Sequence, residues 1–120
     1  MRLRAVNDIA VHLQRLHDET RESYSLNCLT VANELKALLL AQGRSAAVLR
    51  LRSHTVRDGQ LVVAPLIPLR YIGRGAPTWT THYACCADGL VYDPLFAAPV
   101  PIDNYALLAF GEALAPEFIE

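Results

Sequence analysis

Cysteine is scarce in this chain, with three in 120 residues, and that number excludes a disulfide framework. It is odd, and Cys85 and Cys86 are sequence neighbours, so the three cannot all pair within the chain. Reduced thiols in a reducing compartment are the expectation. No Cys-x2-Cys spacing occurs, and adjacent cysteines on a strand point to opposite faces, so His82 near Cys85 and Cys86 does not make a zinc site; no metal and no cofactor is expected. Lys and Arg are wholly missing from residues 75–120, and the net charge is −1. Without a basic surplus to neutralise phosphates, nucleic acid is not the expected partner. Also missing is any apolar run of the ~18–20 residues that cross a bilayer. Asn7, Asp8, His12 and Gln14 interrupt the apolar positions of the first sixteen residues, so there is no signal-peptide core. The expectation is a cytoplasmic chain without signal peptide or membrane contact.

What is present suits a buried core. The chain is 52% hydrophobic with a mean hydropathy of +0.20, and its length fits one domain spanning residues 1–120. Residues 1–74 hold all eleven basic residues against six acids, whereas residues 75–120 hold six acids alone. Val6, Ile9, Ala10, Leu13 and Leu16 fall at helical spacing and predict a first helix over about residues 3–18. A second helix is predicted from Asn27 to Gln42, capped by Ser25 or Asn27 and stopped by Gly43, with Cys28, Val31, Ala32, Leu35, Leu38 and Leu39 on one face. The character then changes to strands. Ala46–Arg52 reads as one, Arg57-Asp58-Gly59 as a turn, and Leu61–Ile72 as a long apolar strand broken by Pro65 and Pro68. Gly73–Pro77 reads as loop. Thr80–Ala87 and Leu90–Tyr92 flank Asp88-Gly89, a strong hairpin signal. Asp103 can cap a last helix over Tyr105–Leu114. Helices first and an antiparallel sheet after predict an α+β domain.

Cys28 opens the second helix. A helix start stabilises a thiolate through its dipole and unpaired N–H groups, and the thiolate is the nucleophilic form. Equally, Cys28 lies in line with Ala32, Leu35 and Leu39, and cysteine is a common inert core residue. The hairpin adds a second observation. A two-residue turn at Asp88-Gly89 pairs Cys86 with Val91, Cys85 with Tyr92, and Ala84 with Asp93, which puts His82 and Asp93 on one face as diagonal neighbours. Their Cβ atoms are then roughly 6–8 Å apart, within reach of a carboxylate–imidazole hydrogen bond. Such a carboxylate fixes the tautomer and orientation of a general base. Taken singly, His82 reads as a satisfied strand histidine and Asp93 as a turn residue before Pro94. Cys86 shares their face and is the rival thiol, while Cys85 faces away into the core. His12, His17 and His54 read as surface or structural.

A cysteine opening a helix, then a strand histidine, then an acid on the next strand is an order that resembles papain-like and transglutaminase-like thiol enzymes. More narrowly, Asn27-Cys28-Leu29 leads through Glu34-Leu35-Lys36 and Ala41-Gln42-Gly43 to the strand Ala46–Leu51. Together with His82-Tyr83, Asp88-Gly89-Leu90-Val91-Tyr92-Asp93, Pro101-Ile102 and Tyr105, this is similar to the small papain-fold toxin domains of bacterial polymorphic toxins. The resemblance implies a papain-like fold, its cysteine-bearing helix packed on a small antiparallel sheet. It implies a Cys28–His82–Asp93 triad, a hydrolase or transferase acting on an amide bond of a protein or peptide substrate, as a peptidase, a glutamine deamidase or an acyl transferase. It further implies delivery into a target cell by a specialised secretion system, and a cognate immunity protein. The family places a glutamine before the nucleophile as an oxyanion donor. None lies between Leu16 and Cys28, and Tyr24, Ser25 and Asn27 are the candidates for that role. A non-catalytic binding module of the same fold and a cell-wall amidase are the competing readings.

Overall fold

The computed structural model describes residues 2–21, 23–24, 27–72 and 79–119. Helix α1 spans Arg2–Glu19 and α2 spans Cys28–Ala41. Strands β1 (Ala47–Leu51), β2 (Ser53–Arg57) and β3 (Gln60–Ala64) follow, then a short 3-10 helix at Leu69–Tyr71. β4 (His82–Ala87), β5 (Leu90–Tyr92), β6 (Val100–Pro101), α3 (Ile102–Phe110) and β7 (Glu117–Phe118) complete the chain. This is the α+β order expected. Five strands form one antiparallel sheet in the order β6-β5-β4-β1-β7, and β2 and β3 form a separate two-stranded ribbon.

The β4–β5 register is the one the hairpin signal predicts: Ala87 opposite Leu90, Cys86 opposite Val91, Cys85 opposite Tyr92. The turn demands it. Asp88 and Gly89 both take positive φ, at 54° and 75°, which is the twist a two-residue hairpin needs and which Asp-Gly supplies at low cost. α2 lies closely against β4. Residues 84–87 are Ala, Cys, Cys and Ala, all buried, and side chains this small let the helix backbone come near. Leu35 and Leu39 of α2, Leu49 and Leu51 of β1, and Tyr105 of α3 are wholly inaccessible to solvent within that core.

Several expectations need correction. The long strand Leu61–Ile72 stops at Ala64, because Pro65 and Pro68 lack the N–H that a ladder requires. Past the ladder, Leu66 makes one isolated bridge to Trp79, and the chain then turns through the 3-10 helix. α3 begins earlier and ends earlier than Tyr105–Leu114, because Gly111 takes a left-handed φ of 72° and its N–H closes on Leu107 O. Asp103 sits in the first turn of α3, where its charge suits the dipole, but Pro101 occupies the cap position and no side chain caps the helix. Asn27 is at the cap position of α2 without a side-chain cap bond. Ser25 and the Gly73–Pro77 segment lie outside the described residues.

A candidate thiol site at the start of α2

Three elements converge on His82. α2 supplies Cys28 in its first turn, β4 supplies His82 in its first position, and the residue after β5 is Asp93. All three are buried, and His82 and Asp93 have no solvent exposure at all. His82 Nε2 and Asp93 Oδ2 stand 2.7 Å apart. The other carboxylate oxygen, Oδ1, accepts the Leu95 N–H at 2.9 Å, and Oδ2 also accepts the hydroxyl of Tyr105. A carboxylate with three donors is held in one rotamer, so the imidazole it binds is held too.

The pairing leaves Nδ1 as the nitrogen for the thiol. Nδ1 is buried and makes no formed hydrogen bond, yet the Cys28 thiol is close enough to raise the proton affinity of the ring. Burial opposes a charge on the imidazole, but the Asp93 carboxylate outweighs it, with Cys28 adding to the effect, and His82 is raised from 6.5 to about 9. At neutral pH the ring is a cation held between a carboxylate and the Cys28 sulfur.

Three aromatic rings enclose it. Trp79 stacks on the imidazole at 5.2 Å and 26°, and Tyr24 and Phe110 meet it edge-on at 5.6 and 5.4 Å. Such a cage keeps water from the His82–Asp93 bond, which strengthens it. Sequence reasoning missed Trp79, Phe110 and the carboxylate-binding role of Tyr105. The one available signal was Trp79, the single tryptophan, three residues before His82.

The proposed oxyanion residues separate. Asn27 is exposed beside Cys28, and its side chain is not spent on capping. Tyr24 is buried, and its hydroxyl makes no hydrogen bond. Burial first, then the charges of Asp93 and Cys28, hold that phenol protonated well above its ordinary range. Between α1 and the start of α2 a cavity of about 230 Å³ opens, with Tyr24, Asn27 and Val31 in its wall. Cys28 itself is not in that wall.

The rival thiols are poorly placed. Cys86 lies four residues along the strand from His82, about 13 Å at strand rise, and burial with the Asp88 charge raises its thiol, against the Gly89 N–H that lowers it. Cys85 is fully buried and pushed up to about 12 by burial and the neighbouring Cys86, with Lys36 and Arg44 opposing. Among the described residues no cluster of three or more His, Cys, Asp or Glu is arranged to hold a metal ion. No helix among them is long and apolar enough to cross a membrane.

Two predictions arise here. His82 binds its proton more tightly folded than unfolded, so stability from this pair is full below about pH 6.5 and is lost as pH rises through about 9. Urea unfolding between pH 6.5 and 9 should show a loss of a few kcal/mol, roughly 1.4 per unit of raised affinity. Titration of unfolded thiols adds to it above pH 9, since Cys85 is raised in the fold. A flat profile to pH 9 would contradict the pairing. Separately, Tyr105→Phe removes one donor from Asp93 and should cost about 1.5–3 kcal/mol, the range for hydrogen bonds to charged groups. Leu95 and His82 still hold the carboxylate, so the imidazole should titrate at or above its original midpoint in an NMR titration.

Comparison of the chain with protein-family models, curated proteins and solved structures finds no match.

Proposed function

We propose that this chain is a cysteine-dependent hydrolase acting on an amide bond of a protein or peptide substrate, with a papain-like arrangement of Cys28, His82 and Asp93. The observation that carries this reading is the buried His82 Nε2–Asp93 Oδ2 bond of 2.7 Å, which leaves Nδ1 to the thiol of the residue opening α2. A histidine held this way has a fixed orientation and one fixed nitrogen, Nδ1, left to exchange a proton with the thiol, which a general base requires and a core histidine does not.

In this mechanism the proton that makes His82 a cation is the one Nδ1 has taken from Cys28, and the Cys28 Sγ so freed attacks the carbonyl carbon. The negative charge that develops on the substrate oxygen is met by the Cys28 N–H at the helix start. Asn27, exposed and uncommitted, is the better-placed second donor. The C–N bond then breaks, His82 gives its proton to the departing amine, and a thioester to Cys28 remains. Water attacks the thioester with His82 taking its proton, which releases the carboxylic acid and restores the thiol. Peptide cleavage and glutamine deamidation share these steps and differ only in which amine leaves. The resemblance to papain-fold toxin domains makes an effector delivered into a target cell, with its own immunity protein, the setting we favour.

Expression inside a bacterium tests this setting. Growth arrest from cytoplasmic expression, abolished by Cys28→Ser, would support an intracellular protein substrate. Killing that needs periplasmic delivery would favour a cell-wall amidase. The burial of both Cys28 and His82 favours one other reading, a non-catalytic binding module, and equal tolerance of wild type and Cys28→Ser in both compartments would support it.

A further inference from the structure

Arg70 in the 3-10 helix has no part in the chemistry above, yet its guanidinium ties the end of α1 to the turn after β5. It donates to Pro94 O at 2.9 Å, to Thr20 Oγ1 at 2.8 Å and to His17 O at 2.7 Å. It also lies over the ring of Tyr71, 5.4 Å from its centre. His17 Nδ1 meets the same Pro94 oxygen at 2.8 Å, so this histidine is a structural partner of the turn.

The Pro94 carbonyl and the Leu95 N–H are two ends of one peptide group. Its oxygen is bound by Arg70, and its N–H donates to Asp93 Oδ1 at 2.9 Å. A cation on the oxygen polarises the peptide, strengthens the N–H as a donor and prevents the group from swinging. The Phe96 N–H closes the same turn on Asp93 O at 2.8 Å. A continuous line then runs from the guanidinium through the peptide to Oδ1, and from Oδ2 to His82 Nε2.

We propose that Arg70 is a positioning residue: by fixing the Pro94–Leu95 peptide it holds the Asp93 carboxylate in the orientation that pairs with His82. The catalytic consequence rests on the thiol-hydrolase reading, but the positioning itself does not. The groups facing His82 are Asp93, Cys28 and the phenols of Tyr24 and Tyr105, with neutral Trp79 and Phe110. Both phenols stay protonated well above their ordinary range, so Asp93 and Cys28 are the two charges that set its titration.

The test is an NMR titration of the His82 ring in the full chain as wild type, Arg70→Met and Arg70→Lys, with melting temperatures alongside. Loosening Asp93 should lower the His82 midpoint by about one pH unit in Arg70→Met, the low end of what an adjacent opposite charge supplies. Arg70→Lys keeps the charge but cannot reach all three acceptors, and should lower it by less. Simple removal of a nearby cation would move the midpoint upward, and a purely structural clamp would lower the melting temperature while leaving it unchanged. An unchanged or higher midpoint in whichever variant is folded overturns the proposal. The midpoint is readable in a protein without activity, so this failure is distinct from a failure of Cys28 to react.

Discussion

Asp93→Asn should leave the fold in place and lower amide turnover by on the order of 10³–10⁴-fold, the loss seen when a buried orienting carboxylate becomes an amide. The geometry supplies the reason. Oδ1 faces the Leu95 N–H and must remain an oxygen, which puts the new NH₂ group opposite His82 Nε2 and the Tyr105 hydroxyl. Tyr105 can turn its hydroxyl to accept. The imidazole can accept only by moving its own proton to Nδ1, and Nδ1 is then unable to take the proton of Cys28. Burial, no longer opposed by a carboxylate, should also drop the His82 midpoint from about 9 to below 6.5. A variant with a lower melting point but an unchanged rate per folded molecule would remove Asp93 from the site and leave a Cys28–His82 pair.

His82→Ala should have the largest effect on stability. It leaves the Asp93 carboxylate buried without its cation and opens a hole among Trp79, Tyr24 and Phe110. Breaking a buried pair from one side costs on the order of 3–5 kcal/mol. Alkylation of Cys28 per folded molecule should fall by about 10²-fold or more, the usual contribution of a positioned general base. Urea unfolding and a labelling time course on one preparation check both. An unaltered labelling rate would mean that His82 does not act on the thiol.

The parts of the fold that were legible in the sequence are those set by local chemistry. Asp88-Gly89 fixes its own turn, the turn fixes the register, and the register places His82 beside Asp93. Cys28 at the start of α2 follows from apolar spacing in the same local way. What could not be read depends on contacts between distant segments. Tyr105 reaches Asp93 only because α3 packs beside the sheet, and Arg70 reaches Pro94 only because the 3-10 helix lies between α1 and that turn. The prolines at 65 and 68 are visible in the sequence, but they end the strand at Ala64 and do not merely interrupt it, because the ladder beyond would lack their N–H donors. Gly111 was equally visible, and its left-handed stop cuts α3 before Leu114.

The most direct measurement is the rate at which iodoacetamide alkylates each cysteine of the intact protein at neutral pH, followed by mass spectrometry of the peptides. Cys85 and Cys86 serve as internal references, since burial raises both thiols. Cys28, in the first turn of α2 beside the His82 cation, should be labelled well ahead of both, and His82→Ala should erase the difference. Equal labelling of the three, or none, would contradict a nucleophilic Cys28 and leave the fold as a binding module.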